Sequence, residues 1–345
     1  LYIWSDLEGN DLKYAQLKLN QLDNRFENLK KIQNVFLNCY FSNPNTNDLF
    51  IEMISNQKTD FSRYNYFYAS YVASKGNVND AKKIVSSALT NHPRNLLLNQ
   101  YKIDLNNNKD VLAFSCKKKE HVIAEILYIT ANALSSQSIY PLSNFYLNLS
   151  KYLNENFQSF DTLLAENFYK TDNFKKAQNI YINLSKNGDA FNWYSSKQLA
   201  RILIQNNNKT EALKLLEKSY NSLLNKEIYE IFDYAEFLKN NEKFEESIPF
   251  YTRIIDTVGK KHPLYAEATD GRGVSFERIG EWDKAEKDLL KSLESNPDQA
   301  YVINYLAYSW IEQGIKIKKS LNMLKRANEL RSNDPYITDS LGWAL

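Results

Sequence analysis

Glycine and proline are scarce in this 345-residue chain, at nine and seven residues. That is too little turn material for an all-β fold, whose many short hairpins draw on both. Cysteine is scarcer still. Cys39 and Cys116 are the only two, and their spacing resembles no metal pattern. Two cysteines cannot build a disulfide-rich scaffold, so the expectation is a pair of free, buried thiols. No apolar run reaches the ~18 residues that suggest a membrane span. Charge of one sign is not in excess either: 43 basic and 41 acidic residues leave a net +2. Composition therefore gives no argument for nucleic acid or an anionic membrane as partner.

The motifs of common chemistries are missing too. The three histidines, His92, His121 and His262, lie far apart, and two of them precede a proline as turn residues do. There is no H-E-x-x-H, C-x-x-C or P-loop pattern, and Gly271-Arg272-Gly273 lacks the strand–turn–helix context of a dinucleotide loop. Ser115-x-x-Lys118 has the spacing of a Ser–Lys nucleophile without its companion motifs. Lys117-Lys118-Lys119 reads as a solvated turn. Acidic pairs such as Glu245-Glu246 fall at helix starts, where they offset the helix dipole. These absences predict a non-catalytic protein with no metal site and no cofactor.

What the chain does have is rhythm. Ala131, Ala165, Ala200, Ala235, Gly273, Ala307 and Gly342 follow one another at steps of 34, 35, 35, 38, 34 and 35. A second series, Ser143, Ala177, Ala212, Ser247, Ala285 and Ser320, trails the first by 12 or 13 residues. Two small residues per ~34-residue period mark a helix–turn–helix unit stacked into a solenoid, because small side chains let the helices approach closely. Asparagine runs such as Asn106-Asn107-Asn108 and Asn206-Asn207-Asn208 read as the inter-helix turns.

The fullest unit runs from Ala266 to Gln299. It carries Thr269, Arg272, Gly273 and Phe276, a turn at Gly280-Glu281, then Trp282, Ala285, Leu289 and Ser292 before Pro297. This pattern resembles the tetratricopeptide repeat. Looser copies occupy Ser62–Asn95, Ala124–Phe157, Gln158–Asn192, Trp193–Glu227, Ile228–Pro263 and Ala300–Asp334, and Pro335–Leu345 begins another. The resemblance covers about four-fifths of the chain and implies an all-α fold, a right-handed α-α superhelix. The expected organisation is degenerate helical repeats over 1–61 with a turn at Gly9-Asn10, one unit over 62–95, and an irregular link over 96–123. The link holds a helix over Leu96–Leu105 and a turn over Asn106–Asp110; the main array of six units and a truncated seventh then fills 124–345. Because the chain begins at Leu1 and stops partway through a unit, it is expected to be a piece of a longer protein.

In the family, first helices line the concave face. The phase of the repeat places Tyr194, Lys197, Arg201, Tyr229, Phe232, Tyr301 and Tyr308 on that face, a mixture of aromatic anchors and charge suited to a protein or peptide partner. The alternative for these rings is packing between neighbouring units. A carboxylate clamp on successive first helices is disfavoured, since Asp233, Glu267 and Gly271 stand where Asn, Lys and Arg are wanted. A finer resemblance attaches to Tyr305-Leu306-Ala307-Tyr308-Ser309, Gly314, Ser320-Leu321, Ala327 and Asp339-Ser340-Leu341-Gly342-Trp343-Ala344-Leu345, and to the segment Ala124–Leu153. These are similar to a proteobacterial envelope lipoprotein family that binds and activates a carboxyl-terminal processing protease. That resemblance implies an adaptor for a peptidase in the periplasm, attached to the outer membrane. The other readings are a cytoplasmic assembly chaperone or regulator, and a repeat arm fused to a downstream enzyme domain.

Overall fold

The computed structural model describes every residue except Glu8, Asn10, Gln57, Lys58 and residues 110–112. The expected turns at Gly9-Asn10 and Asn106–Asp110 each end on a residue outside the described set. Among the described residues there is no strand; the chain is a succession of antiparallel helix pairs, a solenoid of the tetratricopeptide type. It divides into two compact units, 1–219 and 220–345.

The helix pairs follow the phase of the small residues. In the first unit they are Tyr64–Ser74 with Val78–Asn91, Lys119–Ser136 with Tyr140–Leu153, and Ser159–Lys170 with Phe174–Leu184, followed by Asp189–Gln205. The second unit holds Ile228–Asn240 with Phe244–Thr257, Pro263–Arg278 with Trp282–Ser295, Ala300–Glu312 with Ile317–Leu330, and finally Pro335–Ala344. Ala131, Ala165, Ala200, Ala235 and Ala307 are each 0 % exposed. A Cβ added at Gly273 would stand 3.0 Å from the Leu289 side chain and 3.3 Å from the Ala285 carbonyl oxygen, so the crossing leaves little room for a side chain. Gly342 departs from the expectation: it is exposed, and a Cβ added there would meet nothing within 4 Å.

The second series is small for the same reason, and its serines add bonds. Ser143 Oγ donates to the Ala131 carbonyl at 2.8 Å, joining the two small positions of one unit. Asn167 Nδ2 donates to the same Ser143 oxygen at 2.9 Å and ties in the next unit. Such buried bonds leave no orphaned hydroxyl at the crossing. Leucine in place of Ala165, which packs with Ala177 and Tyr181, should overfill the crossing and lower stability by roughly 1–3 kcal/mol in chemical denaturation.

One local device sets the turn inside each pair. A residue in the left-handed region follows the first helix at Ser42, Gly76, Asn108, Ser138, Asp172, Asn207, Glu242, Gly280 and Gly314. At each, the amide of the following residue donates to a carbonyl five residues back, as Asn77 does to Val72 and Ile139 to Leu134. This closure satisfies carbonyls that a helix end leaves unpaired. Only three of the nine are glycine, so the series is hidden from a search for glycine. The spacing from Gly76 to Asn108 to Ser138 shows that the stretch read as an irregular link opens as a repeat. Its first helix, Leu96–Asn106, is present. Seven residues before the turn, six of the other repeats carry alanine and the one before Gly280 carries Gly273; this one carries Tyr101. The ring is buried and meets Tyr66 edge-on at 5.0 Å.

The segment after residue 112 does not form a second helix. Ala113 to Lys118 runs against the helix Glu27–Tyr40, where Phe114 enters an aromatic core with Phe36, Phe67 and Phe157. Here the expectation of free thiols is overturned. Cys39 and Cys116 are joined in a disulfide with their Cα atoms 5.9 Å apart, within the usual span of such bridges. Sequence spacing could not show this, since packing of the link brings together residues 77 positions apart.

Candidate protein-binding surfaces

The seven inner-face candidates fall in different units: Tyr194, Lys197 and Arg201 in the first, Tyr229, Phe232, Tyr301 and Tyr308 in the second. Each set is therefore described by itself.

In the first unit all three belong to the helix Asp189–Gln205. The Tyr194 hydroxyl donates to Glu166 Oε1 at 2.6 Å, and its ring meets Tyr181 at 6.1 Å. Burial, and then the Glu166 charge, push its phenol well above the usual range. Lys197 Nζ lies over the Trp193 ring at 5.6 Å, and the Arg201 guanidinium over the Tyr169 ring at 4.6 Å. The same helix is met at its start by the cryptic repeat, where the Ala190 amide donates to Gln100 Oε1 at 3.1 Å. Gly188, with φ +126°, passes so close to Gln100 that a Cβ would overlap it at 2.2 Å. The start of this helix is thus packed against Gln100, and Tyr194 is half-buried.

In the second unit, Phe232 is 7 % exposed and meets Tyr251 edge-on, which corrects its place among the groove residues: it packs between helices. Tyr301 is different. Its residue surface is 49 % exposed, its hydroxyl donates to Asp334 Oδ2 at 2.7 Å, and the Arg331 guanidinium lies 4.7 Å from its ring centroid. Tyr229 is half-buried, with its ring 6.1 Å from that of His262. Tyr308 is half-buried too, and lines a hollow with Asp339 and Trp343. Trp343 and Leu345 stand exposed at 70 % and 84 %.

The repeat phase places Glu236, Glu267 and Asp270 on the inner face, but does not show their pairing with the rings. Tyr251 and Lys239 both donate to Glu236 Oε1, and Tyr305 donates to Glu277 Oε2 at 2.7 Å. Beside them burial pushes the Asp270 carboxyl up to about 6, with Glu236 and Glu267 reinforcing the shift and Lys239 opposing it. The signal was present as acidic residues at inner phase, but their pairing with tyrosine depends on which helices meet.

A further surface also escaped notice. The outward face of Tyr140–Leu153 exposes Leu142, Phe145, Leu149 and Tyr152 at helical spacing. Among the described residues, no group of three or more His, Cys, Asp or Glu side chains gathers to hold a metal. No helix among the described residues is long and apolar enough to cross a membrane.

No protein-family model matches the chain. A tetratricopeptide-repeat protein of Pseudomonas aeruginosa is 25% identical over 142 residues, which cover 41% of this chain. The match spans 23% of that relative's length, about a quarter. Among solved structures, the Cut9–Hcn1 hetero-tetramer of APC/C is similar over 97% of this chain and 59% of its own, at 14% identity and TM-score 0.48. YrrB, described as a tetratricopeptide protein with an unusual peptide-binding site, is similar over 62% of this chain and 89% of its own, at 13% identity and TM-score 0.31.

Proposed function

We propose that the chain is a non-catalytic adaptor that grips a segment of a partner protein on the inner face of its second unit. The observation that carries this is Tyr301: a large aromatic ring at inner phase, half exposed, with its hydroxyl already held by Asp334. A ring held in place loses little freedom when a partner covers it, and such rings supply much of the energy of protein interfaces. Tyr229 and Tyr308 extend the surface along two further points of the repeat. Tyr194, Lys197 and Arg201 form a lesser surface on the first unit, where Tyr194 is already half covered.

The finer reading is an envelope adaptor for a carboxyl-terminal processing protease. Two things support it: the likeness of residues 300–345 and 124–153 to that lipoprotein family, and the disulfide. Stable disulfides belong mainly to oxidising compartments such as the periplasm.

The test is affinity capture with the full-length protein, read by mass spectrometry, in wild type and in Tyr229→Ala and Tyr301→Ala. Loss of a true anchor costs on the order of 2 kcal/mol, so capture should weaken ~30-fold while the melting temperature stays within a degree or two. A sharp fall in melting temperature with capture intact would make the rings inter-repeat packing. Loss of capture in Phe145→Ser instead would move the site to the outer face. Recovery of the protein from the cytoplasm with both cysteines open to alkylation would remove the envelope reading and leave the adaptor standing.

A further inference from the structure

A cavity of about 230 Å³ lies in the first unit beside the disulfide, away from the inner face. It shares no residue with the candidate surfaces above. Phe50, Phe67, Tyr71 and Phe114 give it an aromatic wall, and Lys75 and Lys117 line it as well. Both lysines are exposed residues, so they stand where the cavity meets solvent.

Among the described residues, no carboxylate neutralises the charges there. Lys117 Nζ donates to the Tyr40 carbonyl at 2.8 Å and to Ser42 Oγ, both uncharged acceptors, which leaves one of its three protons free. Lys75 Nζ lies 5.7 Å from the Tyr71 ring centroid. Among the described residues neither lysine enters an ion pair. Burial, and then the charge of Lys75, hold the Lys117 ammonium below its ordinary range, as expected for like charges with no carboxylate between them. An apolar hollow beside two uncompensated cations fits a ligand that is apolar in body and anionic at one end. The volume limits the body to roughly one phenyl ring or short alkyl chain, since drug-sized ligands take ~300 Å³ or more.

We propose that this cavity binds a monocarboxylate with a compact apolar body, the body against the Phe50, Phe67, Tyr71 and Phe114 rings and the carboxylate on the Lys75 and Lys117 ammonium groups. Lys117 is the fixed cation, tethered to the end of the helix that carries Cys39. Lys75 reaches the cavity from beside the Tyr71 ring. The disulfide holds the link that bears Phe114 and Lys117 against that helix. Two sources supply this chemistry, a free short-chain or aromatic acid and the last residue of a polypeptide.

Titration calorimetry on the intact chain with 3-phenylpropionate and hexanoate tests the proposal. A peptide ending in leucine, with a free and with an amidated terminus, separates the sources. At least one acid or the free-terminus peptide should bind saturably. Its uncharged amide should bind at least tenfold more weakly. Lys75→Glu should weaken binding at least tenfold, with Lys75→Arg within threefold of wild type. Tighter binding of the free-terminus peptide than of the small acids assigns the site to polypeptide ends; the reverse assigns it to free acids. Equal binding of acid and amide, unchanged affinity in a folded Lys75→Glu protein, or no saturable binding of any probe at millimolar concentration would each overturn it. Should Lys75→Glu fail to fold, the comparison of acid with amide decides alone.

Discussion

Replacing Cys39 and Cys116 together by alanine should lower the unfolding free energy of the first unit by about 4.5 kcal/mol, the loop-closure entropy of a 77-residue ring. Reduction of the wild-type protein should produce a loss of similar size. The effect is large because the bridge does what helix pairing does elsewhere. In a full repeat a second helix crosses the first and fixes the chain; after Leu96–Asn106 the returning segment is held by Phe114, the Asn154–Ala113 bond, the bonds of Lys117 to Tyr40 and Ser42, and the disulfide. Stability should be measured by hydrogen exchange on amides of the first unit, because a two-unit chain need not unfold in one step. Protection in Glu27–Tyr40 should fall first, and protection in the second unit should not change. Insensitivity of the first unit to reductant would show that the bridge contributes nothing to it.

Glu125→Leu alone should cost about 3–5 kcal/mol, the penalty for leaving a buried partner charge uncompensated. Glu125 is 0 % exposed, and the Arg63 guanidinium meets both of its oxygens at 2.8 Å. The guanidinium also lies 3.9 Å from the Tyr128 ring centroid. Burial alone would lower the Arg63 pKa, but the Glu125 charge outweighs it and the net direction is upward. The pair spans 62 residues and joins the first helix of one repeat to the helix Lys119–Ser136 beyond the link. The double variant Arg63→Met, Glu125→Leu should recover most of the loss, since an apolar pair removes both desolvation costs together. A urea double-mutant cycle gives the coupling directly. A cost below about 1 kcal/mol for the single change would mean that water reaches the site and screens the pair.

The sequence by itself determined the pitch of the solenoid. Ala131, Ala165, Ala200, Ala235 and Ala307 recur at helical crossings because only a small side chain fits there, and that demand leaves a mark at every turn of the repeat. The turns at Gly76, Gly280 and Gly314 were readable for a similar local reason: a positive φ favours glycine. At Ser138, Asp172 and Glu242 the same conformation is imposed on residues that do not advertise it. The helix over Leu96–Leu105 and its asparagine turn were readable, but not the repeat they open, because Tyr101 stands where the small residue is expected.

Only the tertiary structure decided which residues meet. Tyr101 takes a small residue's place and meets Tyr66, a partner that no residue in its window records. Cys39 finds Cys116, and Arg63 finds Glu125, through a link whose path is set by the burial of Phe114. Phe232 and Tyr301 carry the same inner-face phase, yet one is covered by Tyr251 and the other half exposed beside Asp334. Periodicity tells which way a side chain points from its own helix. What stands opposite it depends on contacts between helices far apart in sequence.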